Sequence, residues 1–193
     1  FTEIPEVTFT TDIKRIAYGQ IPVAEKVGLF EALDDISAPV DSHYPLPMEK
    51  LGQYYGYILY RSKLVRDREI EKIRLLGAND RAKVYLDNKE ISTLYDRELL
   101  SERALPEIVT GDQLDILMEN MGRVNYGAHI RDQKGISGLR FSGQYHFGWQ
   151  MYCLPMETEL DALEFKAAGE EKIAKPTFLR GYLEIEDAPE DTF

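Results

Sequence analysis

The sequence predicts an all-β fold, arranged as a sandwich or a barrel. Short runs of β-branched and aromatic residues alternate apolar and polar side chains, and Gly, Pro, Asn and Asp separate these runs. A helical spacing of apolar residues is confined to residues 27–35 and 157–168. A chain of 193 residues suits one large β domain, or one domain with pieces of a second.

The predicted strands are joined by recognisable turns. The clearest hairpin is centred on Asp87 and Asn88, because both residue types tolerate the positive φ angles that two-residue turns require. In residues 113–119 the alternation places Ile116 towards the core and Asp115 on the opposite face. The full set of predicted strands is 6–11, 15–22, 56–63, 71–76, 82–86, 90–94, 107–110, 113–119, 138–142, 150–154 and 177–185.

The composition argues against several classes of partner. The 34 acidic and 23 basic residues give a net charge of −11, which repels phosphate backbones and anionic lipids. We therefore predict no binding to nucleic acid or membranes. The single cysteine, Cys153, has no partner for an internal disulfide, which slightly favours the cytoplasm for a soluble protein and otherwise leaves localisation unknown. The chain starts at Phe1 without Met, and we interpret it as a piece of a longer protein.

No set of residues predicts a self-sufficient active site. Most acidic residues stand in charged runs typical of a solvated surface. Glu119 ends an apolar strand, and we interpret it as a structural ion pair with Arg123 or a brace for the following loop. His43, His129 and His146 lack the spacing of metal ligands. We predict no catalytic residue, no metal and no cofactor.

Sugar recognition fits the residue types better than catalysis does. Pyranose faces stack on aromatic rings, and the chain has twelve Tyr, eight Phe and one Trp. Trp149 is one candidate, with core packing as its alternative. Tyr126 is another, because Gly122 and Gly127 bracket a polar segment after a strand, where functional residues concentrate. For Tyr126 a functional and a structural role both stay open.

Five motifs in this order resemble one enzyme family. They are residues 44–53 (YPLPMEKLGQ), 55–61 (YGYILYR), 80–87 (DRAKVYLD), 114–127 (LDILMENMGRVNYG) and 134–136 (KGI). Together they resemble the β-galactosidases of glycoside hydrolase family 35, which join a catalytic TIM barrel to downstream jelly-roll domains. The resemblance departs at Met118, where valine is common, and at residues 131–133.

The resemblance implies a jelly-roll β-sandwich of the galactose-binding-like type, with flanking strands from a second, incomplete β domain. Residues 42–156 would form the jelly roll. Residues 1–41 would be the connector from the missing barrel, able to contribute strands to the second β domain. Residues 157–193 would be a linker and the first strand of that domain. The catalytic glutamates of the family belong to the barrel, so this fragment alone should not hydrolyse anything.

The resemblance also implies a role for the loop after residue 119. In the parent enzyme, which removes terminal non-reducing β-D-galactose with retention, Tyr126 would line the aglycone side of the pocket. Asn125 and Arg123 would fix the loop or reach a hydroxyl, and Trp149 is a further candidate for the rim. The partners would be the enzyme's own barrel and, through its active site, galactosides. An independent carbohydrate-binding module and a purely structural spacer are the alternatives.

Overall fold

A computed structural model describes residues 17–65 and 71–186, and most of the regular secondary structure in these residues is β-strand. One α-helix, α1, spans Leu29–Ile36. The strands are β1 (Val23–Gly28), β2 (Val40–Ser42), β3 (Tyr57–Lys63), β4 (Glu71–Leu76), β5 (Arg81–Leu86), β6 (Lys89–Tyr95), β7 (Arg103–Leu105), β8 (Gln113–Glu119), β9 (Gly138–Phe141), β10 (Gln144–Tyr145), β11 (Trp149–Leu154), β12 (Lys166–Ala167) and β13 (Thr177–Gly181).

Two antiparallel sheets form the main sandwich. A six-stranded sheet has the order β2-β11-β3-β8-β5-β6, and a four-stranded sheet has the order β10-β9-β4-β7. Alternate residues of the six-stranded sheet, such as Tyr60 and Ile116, meet Ile73 and Phe141 of the other sheet in one buried core. The predicted all-β, jelly-roll-like sandwich is confirmed.

The outer face of the six-stranded sheet is covered over only one half. Leu59, Leu117 and Leu154 pack there against residues of α1 and against Leu163, which follows β11 along the chain. These residues form a second apolar core. A small sheet of order β12-β1-β13 lies beside α1 and is built from residues on both sides of the main sandwich. The predicted domain limits at residues 41/42 and 156/157 stay predictions.

Most central strands agree with the sequence prediction. β4 and β8 have the predicted bounds, and β3, β5, β6, β9 and β11 differ by one or two residues at their ends. Asp87 and Asn88 form the hairpin turn with φ angles of 47° and 63°. The helix predicted at 27–35 is found as α1. The prediction missed β1, and it extended β13 to residue 185 although the strand ends at Gly181. It also missed β2, β7, β10 and β12, which have two or three residues each and too little pattern to detect.

Several peripheral predictions were wrong. The helix predicted at 157–168 is a short 3-10 helix, Thr158–Ala162, followed by β12. The apolar residues Leu160 and Leu163 do face inwards, but Ala168 donates its backbone N–H to Ala24, which ties this segment to β1 as a strand. Residues 107–110 form no strand, and only Ile108 among them makes an isolated β-bridge. Residues 17–22 also lie outside any strand, and β1 begins after them. The predicted strand 6–11 lies outside the described residues.

Candidate functional site

The loop that follows β8 starts from a fixed strand end. Glu119 lies directly opposite Arg81 of β5 and Tyr57 of β3 in the register of the sheet. It forms an ion pair with Arg81 and accepts a hydrogen bond from the Tyr57 hydroxyl at 3.2 Å. Burial, reinforced by the Glu119 charge, raises the pKa of Tyr57. The structural interpretation of Glu119 is therefore correct, but the partner is Arg81 and not Arg123, because cross-strand register brings Arg81 opposite.

The first turn of the loop is formed by Asn120. Its side-chain oxygen accepts the backbone N–H of Gly122 at 3.0 Å, while its amide nitrogen donates to the carbonyl of Tyr54 at 2.8 Å. Gly122 has a φ of 95° and Gly127 a φ of 100°, in the region that side chains with a Cβ rarely adopt. The chain therefore turns sharply at both ends of residues 122–127.

Arg123 ties the loop back to the body of the sandwich. Its guanidinium forms an ion pair with Glu49 and donates to the backbone carbonyl of Asp132 at 3.1 Å. The Glu49 carboxylate also accepts the backbone N–H of Lys134, at 3.0 and 3.1 Å from its two oxygens. Arg123 thus connects the outgoing and returning arms of the loop through one carboxylate.

Lys134 adds a second ion pair beneath the loop, on the buried side of the base of the loop. Its side chain is only 7% exposed, and its ammonium lies 2.6 and 2.7 Å from the two Asp80 oxygens. Asp80 also accepts the backbone N–H of Met121 at 2.8 Å. Two cations and two anions, namely Lys134, Arg123, Asp80 and Glu49, therefore hold the loop at its start and its end. Charge-assisted hydrogen bonds of this kind are stronger than neutral ones.

Tyr126 stands at the tip of the braced loop. Its side chain is 91% exposed, the highest exposure among the large hydrophobic residues in the described part of the chain. Asn125 is exposed beside it. Met121, Val124 and Ile130 are about half exposed on the same loop, so the loop exposes further apolar surface besides the Tyr126 ring. Exposed apolar surface that is concentrated in this way is typical of a contact with a partner or a ligand.

The sandwich and its loop match a known domain family. Residues 45–155, which include every strand of the sandwich except the edge strand β2 and also include the whole loop, match the family model described as the first all-beta domain of beta-galactosidase. The chain belongs to the β-galactosidase family. The membership that the five motifs predict is confirmed, and the chain represents an accessory all-beta domain of such an enzyme.

Curated β-galactosidases from distant organisms are similar to this chain. One from Macaca fascicularis is 34% identical over 175 residues, covering 88% of this chain and 25% of that protein. One from Xanthomonas manihotis is 34% identical over 175 residues, covering 89% of this chain and 28% of that protein. Beta-galactosidase 17 of Arabidopsis thaliana is 35% identical over 156 residues, covering 74% and 22%. The chain therefore spans about a quarter of the length of these relatives.

Trp149, the other aromatic candidate for the rim of the β-galactosidase pocket, lies in the core. It is 2% exposed, its indole nitrogen donates to the carbonyl of His146 at 3.3 Å, and its ring meets Tyr60 edge-on. It also pairs with Ser42, at the end of the six-stranded sheet opposite to Glu119. A buried ring at the far end of the sheet does not contribute to the surface around Tyr126, so we withdraw Trp149 as a rim candidate.

The three histidines do not converge. His43 stacks on Phe147, His129 lies 2.6 Å from Asp132, and His146 lies 2.8 Å from the hydroxyl of Ser62. Among the described residues, no group of three His, Cys, Asp or Glu side chains has the geometry of a metal site. No helix in the described part of the chain is long and apolar enough to cross a membrane.

Sequence reasoning missed the base of the loop. Glu49, Asp80 and Lys134 each stand in one of the quoted motifs, yet they are far apart in the chain. Their charged side chains stand among β-strands and turns, where a solvated position is the ordinary expectation. Their place in the family motifs was the only signal that could have singled them out.

Proposed function

We propose that this chain packs against the catalytic barrel of a β-galactosidase through the loop after β8 and that Tyr126 lines the aglycone side of the galactoside pocket. The parent enzyme would remove terminal β-D-galactose with retention, using two glutamates of the barrel. The fragment alone would not hydrolyse a glycoside. The observation that carries this proposal is a nearly fully exposed tyrosine on a loop that ion pairs brace at both ends.

The bracing supports a binding role because it lowers the entropy that ligand contact would cost. A ring presented on a mobile loop must be ordered when it meets a ligand, whereas a preorganised ring has already lost most of that freedom. Arg123 and Glu49 supply this order. Arg123 is therefore assigned to fixing the loop, and Asn125, exposed beside Tyr126, is the better candidate to reach a sugar hydroxyl.

The apolar surface of the loop supports packing against another domain. Met121, Val124 and Ile130 would meet the barrel, and Tyr126 would extend beyond that contact to the pocket. Interfaces between domains commonly combine apolar side chains with polar groups at their edge. A pure spacer predicts the same packing but no contribution of Tyr126 to substrate specificity.

The test is steady-state kinetics of the complete β-galactosidase carrying Tyr126→Ala. We expect kcat/KM for galactosides with a large aglycone to fall about tenfold, the loss of one stacking contact of about 1–1.5 kcal/mol. Inhibition by free galactose should not change, because galactose does not occupy the aglycone side. The Tm should stay within about 2 °C, because a side chain this exposed contributes little to folding.

The matched control is Tyr182→Ala, which removes a tyrosine that is 62% exposed and stands after β13. It should leave kinetics unchanged for every substrate. A lower Tm for Tyr126→Ala with unchanged kcat/KM would contradict the rim assignment. Equal losses for small and large aglycones would show that the effect arises elsewhere, for example in domain packing.

A further inference from the structure

A polar groove lies on the uncovered half of the outer face of the six-stranded sheet. It has a volume of about 790 Å³, within the range of small-molecule sites. Strands β2, β11, β3 and β8 contribute its walls. Its principal side chains are Asp41, His43, Arg61, Lys63, Gln113 and Gln150.

The groove is built on a fixed ion pair. Arg61 donates to both oxygens of Asp115, at 2.8 and 3.1 Å, and Gln113 donates to the same carboxylate at 2.8 Å. Asp115 is fully buried beneath them. Burial lowers the pKa of the Arg61 guanidinium, but the hydrogen bonds and the charge of Asp115 outweigh it and raise that pKa overall. The guanidinium and the Gln113 amide are therefore held in place before any ligand arrives.

The charges of the groove balance. Arg61 and Asp115 cancel each other, and Lys63 is offset by Asp41 on the edge strand. The amide nitrogen of Gln150 donates to Asp41 at 3.2 Å, which leaves its carbonyl oxygen available as an acceptor. A groove with no net charge and several planar hydrogen-bonding groups favours a neutral ligand with many hydroxyls over an anion or a cation.

An aromatic cluster adjoins the groove through His43, which lines it. The His43 ring is stacked on Phe147 with centroids 4.5 Å apart and planes 3° from parallel. Tyr44 meets both rings edge-on, at 4.8 and 5.1 Å. All three side chains are exposed. The C–H face of a sugar packs on rings of this kind while its hydroxyls bond to neighbouring polar groups.

We propose that this groove is a non-catalytic binding site for a neutral saccharide. His43 and Tyr44 would contact the apolar face of the sugar, and the Gln113 and Gln150 amides would bond to its hydroxyls. The site is independent of the Tyr126 loop, because Gln113 begins β8 and Glu119 ends it, which separates the two regions by about 20 Å along an extended strand. Failure of either proposal therefore leaves the other standing.

The test is titration of the 193-residue chain with galactose and lactose, followed by ¹H–¹⁵N NMR. We expect shifts at His43, Lys63, Gln113 and Gln150 that saturate at millimolar sugar. Dissociation constants would come from the same titration, and inorganic sulfate would serve as the charged probe. Sulfate should not compete with the sugar.

Two variants and a control assign the contacts. Gln150→Ala should weaken sugar binding about tenfold, the effect of one lost hydrogen bond, and His43→Ala should weaken it to a similar extent. Gln144→Ala removes an exposed glutamine on β10, outside the groove, and should leave binding unchanged. Each variant's Tm must stay near that of the parent chain.

Three results would overturn the proposal. The first is the lack of any saturable shift up to about 100 mM sugar, a limit above the millimolar range of weak sites. The second is a set of shifts confined to residues 120–131, which would move the site to the Tyr126 loop. The third is displacement of the sugar by sulfate, which would identify an anion site around Lys63.

Discussion

Two fully buried tyrosines of the six-stranded sheet offer a controlled measure of what a buried hydroxyl contributes to stability. The Tyr60 hydroxyl donates to the carbonyl of Leu46 at 2.8 Å and accepts the backbone N–H of Ile136 at 3.1 Å. The Tyr85 hydroxyl is equally buried but has no hydrogen-bond partner in the described part of the chain. Replacing each tyrosine by phenylalanine removes the same atom from two very different environments.

The expected magnitudes follow from the groups left behind. Tyr60→Phe deprives one carbonyl and one N–H of their partner, at about 1–2 kcal/mol for each group, so we expect a loss of about 2–4 kcal/mol. Tyr85→Phe removes a hydroxyl that is already unpaired, so stability should stay the same or rise by up to about 1 kcal/mol. The removed atom is the same at both sites, so the comparison measures chiefly the difference in hydrogen bonding.

The assay is urea unfolding of the 193-residue chain, with circular dichroism and fluorescence as independent probes. Tyr60→Phe should lower the midpoint at an unchanged m-value and lower Tm by about 4–16 °C, at about 2–4 °C per kcal/mol for a domain of this size. Equal destabilisation by the two substitutions would refute the reasoning, because it would show that the hydrogen bonds of Tyr60 do not distinguish the two sites.

Three further predictions concern the same region. Lys134→Met should lower the free energy of unfolding in urea by about 2–4 kcal/mol, because it leaves Asp80 without the ammonium that contacts both of its oxygens. A loss below about 0.5 kcal/mol, as at an ordinary surface position, would contradict the bracing role of Lys134. Gly135→Ala should destabilise the chain, because φ is +91° and a Cβ would lie 2.1 Å from the Tyr60 hydroxyl. The loss of stability should be smaller when Tyr60 is already replaced by Phe. If the free-energy losses of the two substitutions simply add, this clash is not the cause. Burial raises the pKa of Tyr60 and Tyr85 above 10.0. The neutral hydroxyls therefore contribute fully to the free energy of unfolding below about pH 10, and this contribution is lost as pH rises further. In each phenylalanine variant the free energy of unfolding should fall less steeply with pH above about pH 10.

The central strands were predictable because one physical signal decides them. Strand β8 alternates large apolar residues with residues of the other face, and Ile116 lies in the core as that alternation requires. The same alternation placed Asp115 on the outer face, where a carboxylate is ordinarily solvated. It is fully buried instead, because the register puts Arg61 directly opposite on β3. Such a pairing depends on the order of strands in the sheet, which local sequence does not determine.

The tip of the loop was also predictable, whereas its base was not. Gly122 and Gly127 mark turns with a positive φ that glycine adopts readily because it has no Cβ, so they signalled an exposed segment around Tyr126. Arg123 was expected to fix the loop, but its partner Glu49 lies 74 residues away in sequence. The position of Trp149 was not predictable in this way. A single Trp next to a strand gives no local signal that distinguishes a core position from a surface position, and Trp149 proved to be buried.

Both candidate sites depend on the register of a single strand. β8 begins at Gln113 in the groove and ends at Glu119 beneath the loop, and its inner face fills the core between them. A shift of one residue would turn Asp115 into the core and Ile116 outwards, at a cost far above the stability of a small domain. The core packing that fixes the sandwich therefore also fixes the positions of Gln113 and Glu119. The proposed saccharide groove at one end and the proposed aromatic rim at the other can consequently vary in their exposed residues without changing the fold, provided that Arg61, Asp115 and the inner face of β8 are kept.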